Sequence, residues 1–276
     1  MGEAKRKSRK RGDILAAELR CIYCANPAQT VEHMPPRGMF RGRLRPSAME
    51  FGCCEDCNEA TRGADAVAAL FARTHPDYAD TSWQTQEMMK LVSAVDAFAP
   101  GVREEMSAPG KSIPEWGHRD GSPVLQRVVR VRADGPLVQA NLCAFGAKLA
   151  MALYREHVGT PLPFDGVVWC QSALNAGMTQ EALDARLQIL PLFDTLRQGK
   201  FNVQEQFAYR YNCDNRATLG AVAQFHRGLW ITLFASSDPK IVALLEEPKF
   251  VNLPASALIR PGDLRKSLTP QSKLII

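Results

Sequence analysis

Apolar positions recur at helical spacing from Asn58 to Thr74, where Val67, Leu70 and Phe71 share one face, and again from Thr85 to Phe98 through Met88, Leu91, Val92 and Val95. The clearest such pattern runs from Asn141 to His157. Leu149, Leu153 and neighbouring alanines form its packing face, and Gly159 supplies a stop. Thr179 is a suitable N-cap for a further helix, Gln180 to Ile189. Strand patterns cover Val124 to Val131, followed by a Gly135-Pro136 turn, and then a short buried run, Val167 to Cys170. Phe207 to Tyr211, Ala221 to His226 and Leu229 to Ala235 also read as strands, the last two joined through Arg227-Gly228 in a hairpin-like turn. Pro100 to Gly121, with Gly and Pro throughout, reads as loop.

Residues 20 to 60 break this regularity. They are rich in Cys, Pro, Gly and Arg with little periodicity, as expected of a fold held by metal rather than by a core. Pro76-Asp77 interrupts the helix that follows and marks a boundary. Three parts result. Residues 1–19 form a basic arm and a short helix, Ile14 to Arg20, capped by Asp13. Residues 20–75 form a small metal-stapled module, and residues 76–276 a larger mixed α+β domain.

Composition narrows the classes. Hydrophobic content of 46% and charged content of 23% are ordinary for a globular protein of this size. No apolar run approaches the ~20 residues that span a bilayer, and the basic N-terminus lacks an apolar secretory core. The expectation is a cytoplasmic protein without a membrane partner, its cysteines kept as thiols or metal thiolates. Cys143, Cys170 and Cys213 lie scattered in apolar sequence and read as buried side chains.

The net charge of +5 is unevenly placed. Lys5, Arg6, Lys7, Arg9, Lys10 and Arg11 crowd the N-terminus, and Arg37, Arg41, Arg43 and Arg45 form a second cluster. Clustered cations neutralise phosphates and release counterions, so both segments point toward nucleic acid. The arginine cluster is the stronger pointer, because it follows Glu32-His33 directly.

Two Cys-x-x-Cys pairs, Cys21/Cys24 and Cys54/Cys57, can close one tetrahedral thiolate site around zinc. Such a shell leaves no open position for water, so this zinc is structural. Cys53 competes with Cys54 for the register, and the two-residue gap of Cys54-x-x-Cys57 favours Cys54.

Read together, Cys21-Ile22-Tyr23-Cys24, Thr30-Val31-Glu32-His33-Met34-Pro35-Pro36 and Cys54-Glu55-Asp56-Cys57-Asn58 resemble the zinc-containing branch of the HNH endonucleases. Arg62-Gly63 and Asp65 look like the continuation of that segment. The resemblance covers residues 20 to 72, about a fifth of the chain. It implies a ββα-metal module with His33 as general base and Glu32 and Asn58 as ligands of a catalytic Mg²⁺ or Mn²⁺. A histidine of ordinary pKa suits water activation near pH 7, and oxygen donors suit a hard cation. Arg62 would face the phosphate from the first helical turn, and Asp65 is either a carboxylate beside the metal or an exposed helix residue. The family's middle Asn is absent from Ser47 to Gly52, which leaves a backbone carbonyl, Ser47 or Glu50 to orient His33.

The resulting expectation is a metal-dependent endonuclease acting on nucleic acid, DNA first. Its rivals are a noncatalytic zinc-dependent nucleic-acid-binding protein, and a defence or toxin nuclease controlled by the C-terminal domain. That domain would also offer a surface for a protein partner.

Overall fold

The structure, a computed structural model, describes residues 11–74, 82–118, 124–131, 133–174, 181, 184, 188–198, 200–246 and 258–265. The chain is mixed α+β. The described residues begin with helix α1 (11–17) and the hairpin β1 (Thr30–His33) and β2 (Glu50–Cys53). Two 3₁₀ turns, Arg37–Met39 and Arg41–Arg43, lie between these strands. Helices α2 (Glu55–Ala60), α3 (Arg62–Arg73), α4 (Ser82–Phe98) and α5 (Val102–Ser107) follow. A two-stranded ribbon, β3 (Ser112–His118) with β4 (Leu125–Val131), leads into the long helix α6 (Pro136–Val158).

The remainder supplies β5 (Val167–Leu174), β6 (Leu192–Asp194), the short pair β7 (Arg197–Gln198) and β8 (Phe201–Asn202), β9 (Phe207–Cys213), β10 (Thr218–Phe225) and β11 (Leu229–Ser236). Helix α7 (Pro239–Glu246) and β12 (Leu258–Ile259) follow among the described residues. An antiparallel sheet has the order β12-β5-β11-β10-β9-β6.

Helix α6 is the centre of the molecule. Its hydrophobicity runs all round, because both faces are covered. Gly146 faces the sheet so closely that a Cβ there would lie 2.9 Å from Cys170 Sγ and also touch Ile231. Lys148, two residues on and therefore on the opposite face at about 100° per residue, faces β1 and α3. In length and composition α6 matches a membrane span, contrary to the expectation that no run approaches that length, but it is packed between the sheet and the cysteine-bearing segment. Buried residues of 20–75 and of 76–276 form one hydrophobic cluster, from Cys21 and Tyr23 through Phe71 and Phe145 to Phe225 and Leu264.

Most expected elements occur: Val67, Leu70 and Phe71 are buried on α3, and β10 and β11 form the expected hairpin. Its tip fits against the end of α3, where a Cβ on Gly228 would meet Phe71 O at 2.2 Å. Four segments differ. Helix α1 covers 11–17, so Asp13 lies inside it instead of capping a helix from Ile14 to Arg20. Pro100 to Gly121, read as loop, carries α5 and β3; among the described residues β3 pairs only with β4 and so needs no alternation between a buried and an exposed face. Gly135-Pro136, read as a turn, is the N-cap and first residue of α6, where proline's missing N–H costs nothing. The strand at Val167 runs on through Leu174, because β11 pairs along its whole length. The basic arm before residue 11, Pro76-Asp77, most of the helix expected over 180–189 and the apolar tail lie outside the described residues.

Candidate metal centre

The hairpin and α2 bring the two cysteine pairs together. Cys54 is the N-cap of α2, and its sulfur accepts from Cys57 N at 3.4 Å. The Tyr23 N–H likewise points at Cys21 Sγ, 3.4 Å away. The ligand atoms of Cys21, Cys24, Cys54 and Cys57 all lie within 4.8 Å of one another. Cys24 Sγ is 3.6 Å from both Cys54 Sγ and Cys57 Sγ. Sulfurs at ~2.3 Å from a tetrahedral zinc are separated by roughly 3.8 Å, so the four residues fit that ion. Cys53 is fully buried beside the cluster, 3.8 Å from Cys21 Sγ, and is not one of the four.

A residue from the far end of the chain closes the centre. Arg265 Nη2 lies 3.8 Å from Cys57 Sγ, 4.0 Å from Cys54 Sγ and 3.2 Å from Asp56 Oδ2. Gly262 N donates to Tyr23 O at 2.9 Å, so this C-terminal segment straps across the first knuckle. A tetrathiolate zinc carries two net negative charges, and guanidinium donors temper them. Sequence reasoning missed Arg265, since nothing in its surroundings hints at a partner more than two hundred residues away.

Glu32 and His33 diverge, as adjacent residues on a strand must. Glu32 turns inward and is 4% exposed. Its Oε1 lies 3.2 Å from Lys148 Nζ, which also donates to Asp65 Oδ1 and Oδ2 at 2.7 and 2.8 Å. Burial pushes the Glu32 carboxyl up to about 7, with Lys148 pulling it down and Asp65 pushing it further up. Asp65 is therefore an ion-pair partner in the core. Asn58, on α2, donates to Thr30 Oγ1 at 3.2 Å.

The residues do not fit a second, catalytic cation held by Glu32 and Asn58. Glu32 is already engaged by an ammonium group. Among the described residues, the four cysteines are the one group of three or more Cys, His, Asp or Glu ligands close enough to share an ion.

His33 points the other way, opposite Glu50 in the β1–β2 register. Burial, then Arg37 and Arg45, lower its pKa to about 4, against a smaller upward pull from Glu50. The ring is neutral at pH 7, and its Nδ1 is buried without a hydrogen-bond partner. A pKa near 4 makes it a weaker proton acceptor than an ordinary histidine.

The arginines separate into two kinds. Arg45 is a staple: its guanidinium donates to the carbonyls of Met34, Pro35, Pro46, Ala48 and Met49, and its side chain is 2% exposed. It is not available to a phosphate. Arg37, Arg41 and Arg43 are exposed on a loop whose Met39 and Phe40 are buried in the core. Three contacts from distant elements hold that loop. His226 Nε2 donates to Met39 O at 2.8 Å, Arg41 N donates to Gln206 Oε1 at 2.8 Å, and Gly42 N donates to Glu87 Oε1 at 3.0 Å. Arg62 is exposed on α3, 3.8 Å from Glu59 and 5.9 Å above the Phe98 ring.

No family model, curated protein or solved structure matches the chain. Geometry establishes a mixed α+β chain with a four-cysteine cluster near its N-terminus that can hold zinc.

Proposed function

We propose that this chain is a zinc-dependent nucleic-acid-binding protein, built on an HNH-like ββα module that serves binding rather than hydrolysis. The observation that carries this reading is the arginine loop. Arg37, Arg41 and Arg43 are exposed on a segment fixed by His226, Gln206 and Glu87. A fixed cationic loop loses less conformational freedom on meeting phosphates than a flexible one does. The basic residues before residue 12 add to the same charge. Zinc would supply the fold of the hairpin that carries the loop, and no chemistry of its own.

The test is a titration of zinc-loaded full chain into labelled duplex DNA, single-stranded DNA and RNA. Affinity should fall steeply between 50 and 200 mM salt, by ~10³ or more if six phosphates are neutralised. Failure to bind any of the three at low salt would remove the reading.

A second reading, hydrolysis with His33 as general base, is favoured by one observation, the buried and unpartnered Nδ1 of that ring. Supercoiled plasmid incubated with Mg²⁺ or Mn²⁺ distinguishes the two. Nicking by the wild type that His33→Ala abolishes would favour the enzyme.

A further inference from the structure

We propose that Cys143 and Cys170 form a redox-active dithiol, which a hydroperoxide converts to a disulfide that staples α6 to β5. The proposal goes beyond the nucleic-acid reading and does not depend on it.

The two sulfurs come from different elements, Cys143 on α6 and Cys170 on β5, and lie 3.9 Å apart. The Cys170 thiol also lies 3.4 Å from the Cys143 carbonyl oxygen. Metal does not account for this approach, since neither residue belongs to the four-cysteine group. Gly146 does. It is one turn on from Cys143, on the same side of the helix. A Cβ there would stand 2.9 Å from Cys170 Sγ and 3.0 Å from Cys170 Cβ, so the missing side chain lets the helix backbone lie against Cys170. Disulfide sulfurs sit ~2.05 Å apart, so the pair must close by roughly 1.9 Å, a displacement of the size that rotation about a Cα–Cβ bond gives a cysteine sulfur.

The two thiols are unequal. Cys143 is half-buried and Cys170 is 4% exposed, so a small oxidant meets Cys143 first. The hydrogen bond from Cys170 lowers the Cys143 pKa against the opposing effect of burial. The same contact, with burial, raises that of Cys170. Cys143 therefore holds the larger thiolate fraction, and the thiolate is the nucleophile. Its sulfur attacks one oxygen of the hydroperoxide. An S–O bond forms, the O–O bond breaks, and the departing oxygen takes up a proton and leaves as water or an alcohol. Cys143 is then a sulfenic acid, oxidised at the peroxide's expense. The Cys170 sulfur attacks it in turn: the S–S bond forms, the S–O bond breaks, and hydroxide leaves with the Cys170 proton as water. Thiol reductants reverse the bond by exchange.

The experiment uses the zinc-loaded full chain with hydrogen peroxide as probe. After treatment the remaining thiols are alkylated in denaturant, and the chain is digested with trypsin without reduction. Cleavage after Lys148 and Arg155 separates the two cysteines. Mass spectrometry of treated wild type should show their peptides joined, at the expense of both alkylated forms, and dithiothreitol should abolish the joined species. Cys170→Ser should lose it and accumulate a sulfenic acid on Cys143 that dimedone labels, while Cys143→Ser should leave Cys170 open to alkylation. The proposal is overturned if both cysteines of the wild type stay open to alkylation at every peroxide concentration that leaves the chain folded. It is equally overturned if Cys143 advances to a sulfinic acid with no joined peptides, or pairs with a different cysteine. Should either variant fail to fold, the wild-type peptide map decides alone.

Discussion

Lys148 Nζ lies 3.2 Å from Glu32 Oε1 in a core where neither side chain is more than 4% exposed. Breaking such a pair from one side leaves a buried charge uncompensated, which costs about 3–5 kcal/mol. Lys148→Met should therefore lower the unfolding free energy by that amount in urea titrations without added divalent cation. A triple variant, Lys148→Met with Glu32→Gln and Asp65→Asn, removes all three charges and should recover most of the loss. A Lys148→Met chain as stable as the wild type would show that the pair contributes little.

Zinc removal should affect the whole chain. The cysteine-bearing segment buries Cys21, Ile22, Tyr23, Met39 and Phe40 in the same cluster as α6 and the sheet. Sequence periodicity suggests two separable domains, with the larger one spared; a shared core predicts a single transition that a chelator shifts to lower temperature. Calorimetry with and without chelator checks this, and an unshifted second transition would restore the two-domain picture. In the same preparations Cys54→Ser should lose zinc, while Cys53→Ser should keep about one ion per chain.

The cysteine pairs were legible because metal ligands must recur at fixed spacing, and the choice of Cys54 over Cys53 followed from that spacing alone. Helix α6 and the β10–β11 hairpin were legible from periodicity and a turn residue. Arg45 was not distinguishable from Arg37, Arg41 and Arg43, since four arginines in one loop look alike until the chain folds. Its role depends on five carbonyls converging, and a carbonyl leaves no mark in sequence. Glu32 was read as a metal ligand because its partner lies 116 positions away, as the numbering from 32 to 148 shows. One signal was present: a lone lysine inside the apolar run Ala144 to Leu153 requires a buried acid.

Arg265 should slow zinc loss. Its guanidinium approaches two of the thiolates and Asp56. Groups in contact with metal ligands commonly alter affinity by 10- to 100-fold, and at a side chain 43% exposed the lower figure applies. Arg265→Met should raise zinc release to a colorimetric chelator by ~10-fold. Release at the wild-type rate would reduce Arg265 to a surface contact.

His226 gives the fold an acid-sensitive element. Burial is the main cause that lowers its pKa to about 4, and the neighbouring Arg73 and Arg41 act in the same direction. A depressed histidine favours the neutral ring in the folded state. Its contribution is therefore whole above the unfolded pKa of ~6.5 and is lost as pH falls toward 4. The difference corresponds to about 3 kcal/mol. His226→Gln, compared with wild type in zinc-loaded samples, should lose less stability between pH 6.5 and 4. Parallel stability curves would remove His226 from the account.

The central claim is that the pinned loop meets phosphates. Its most direct test is the salt dependence of DNA affinity, measured by fluorescence anisotropy for wild type and for the Arg37→Ala/Arg41→Ala/Arg43→Ala variant. Each phosphate contact removed lowers the log–log slope by ~0.9. The account predicts a slope shallower by up to ~3 units in the variant, with zinc content and unfolding temperature unchanged. An unaltered slope at wild-type affinity would contradict it.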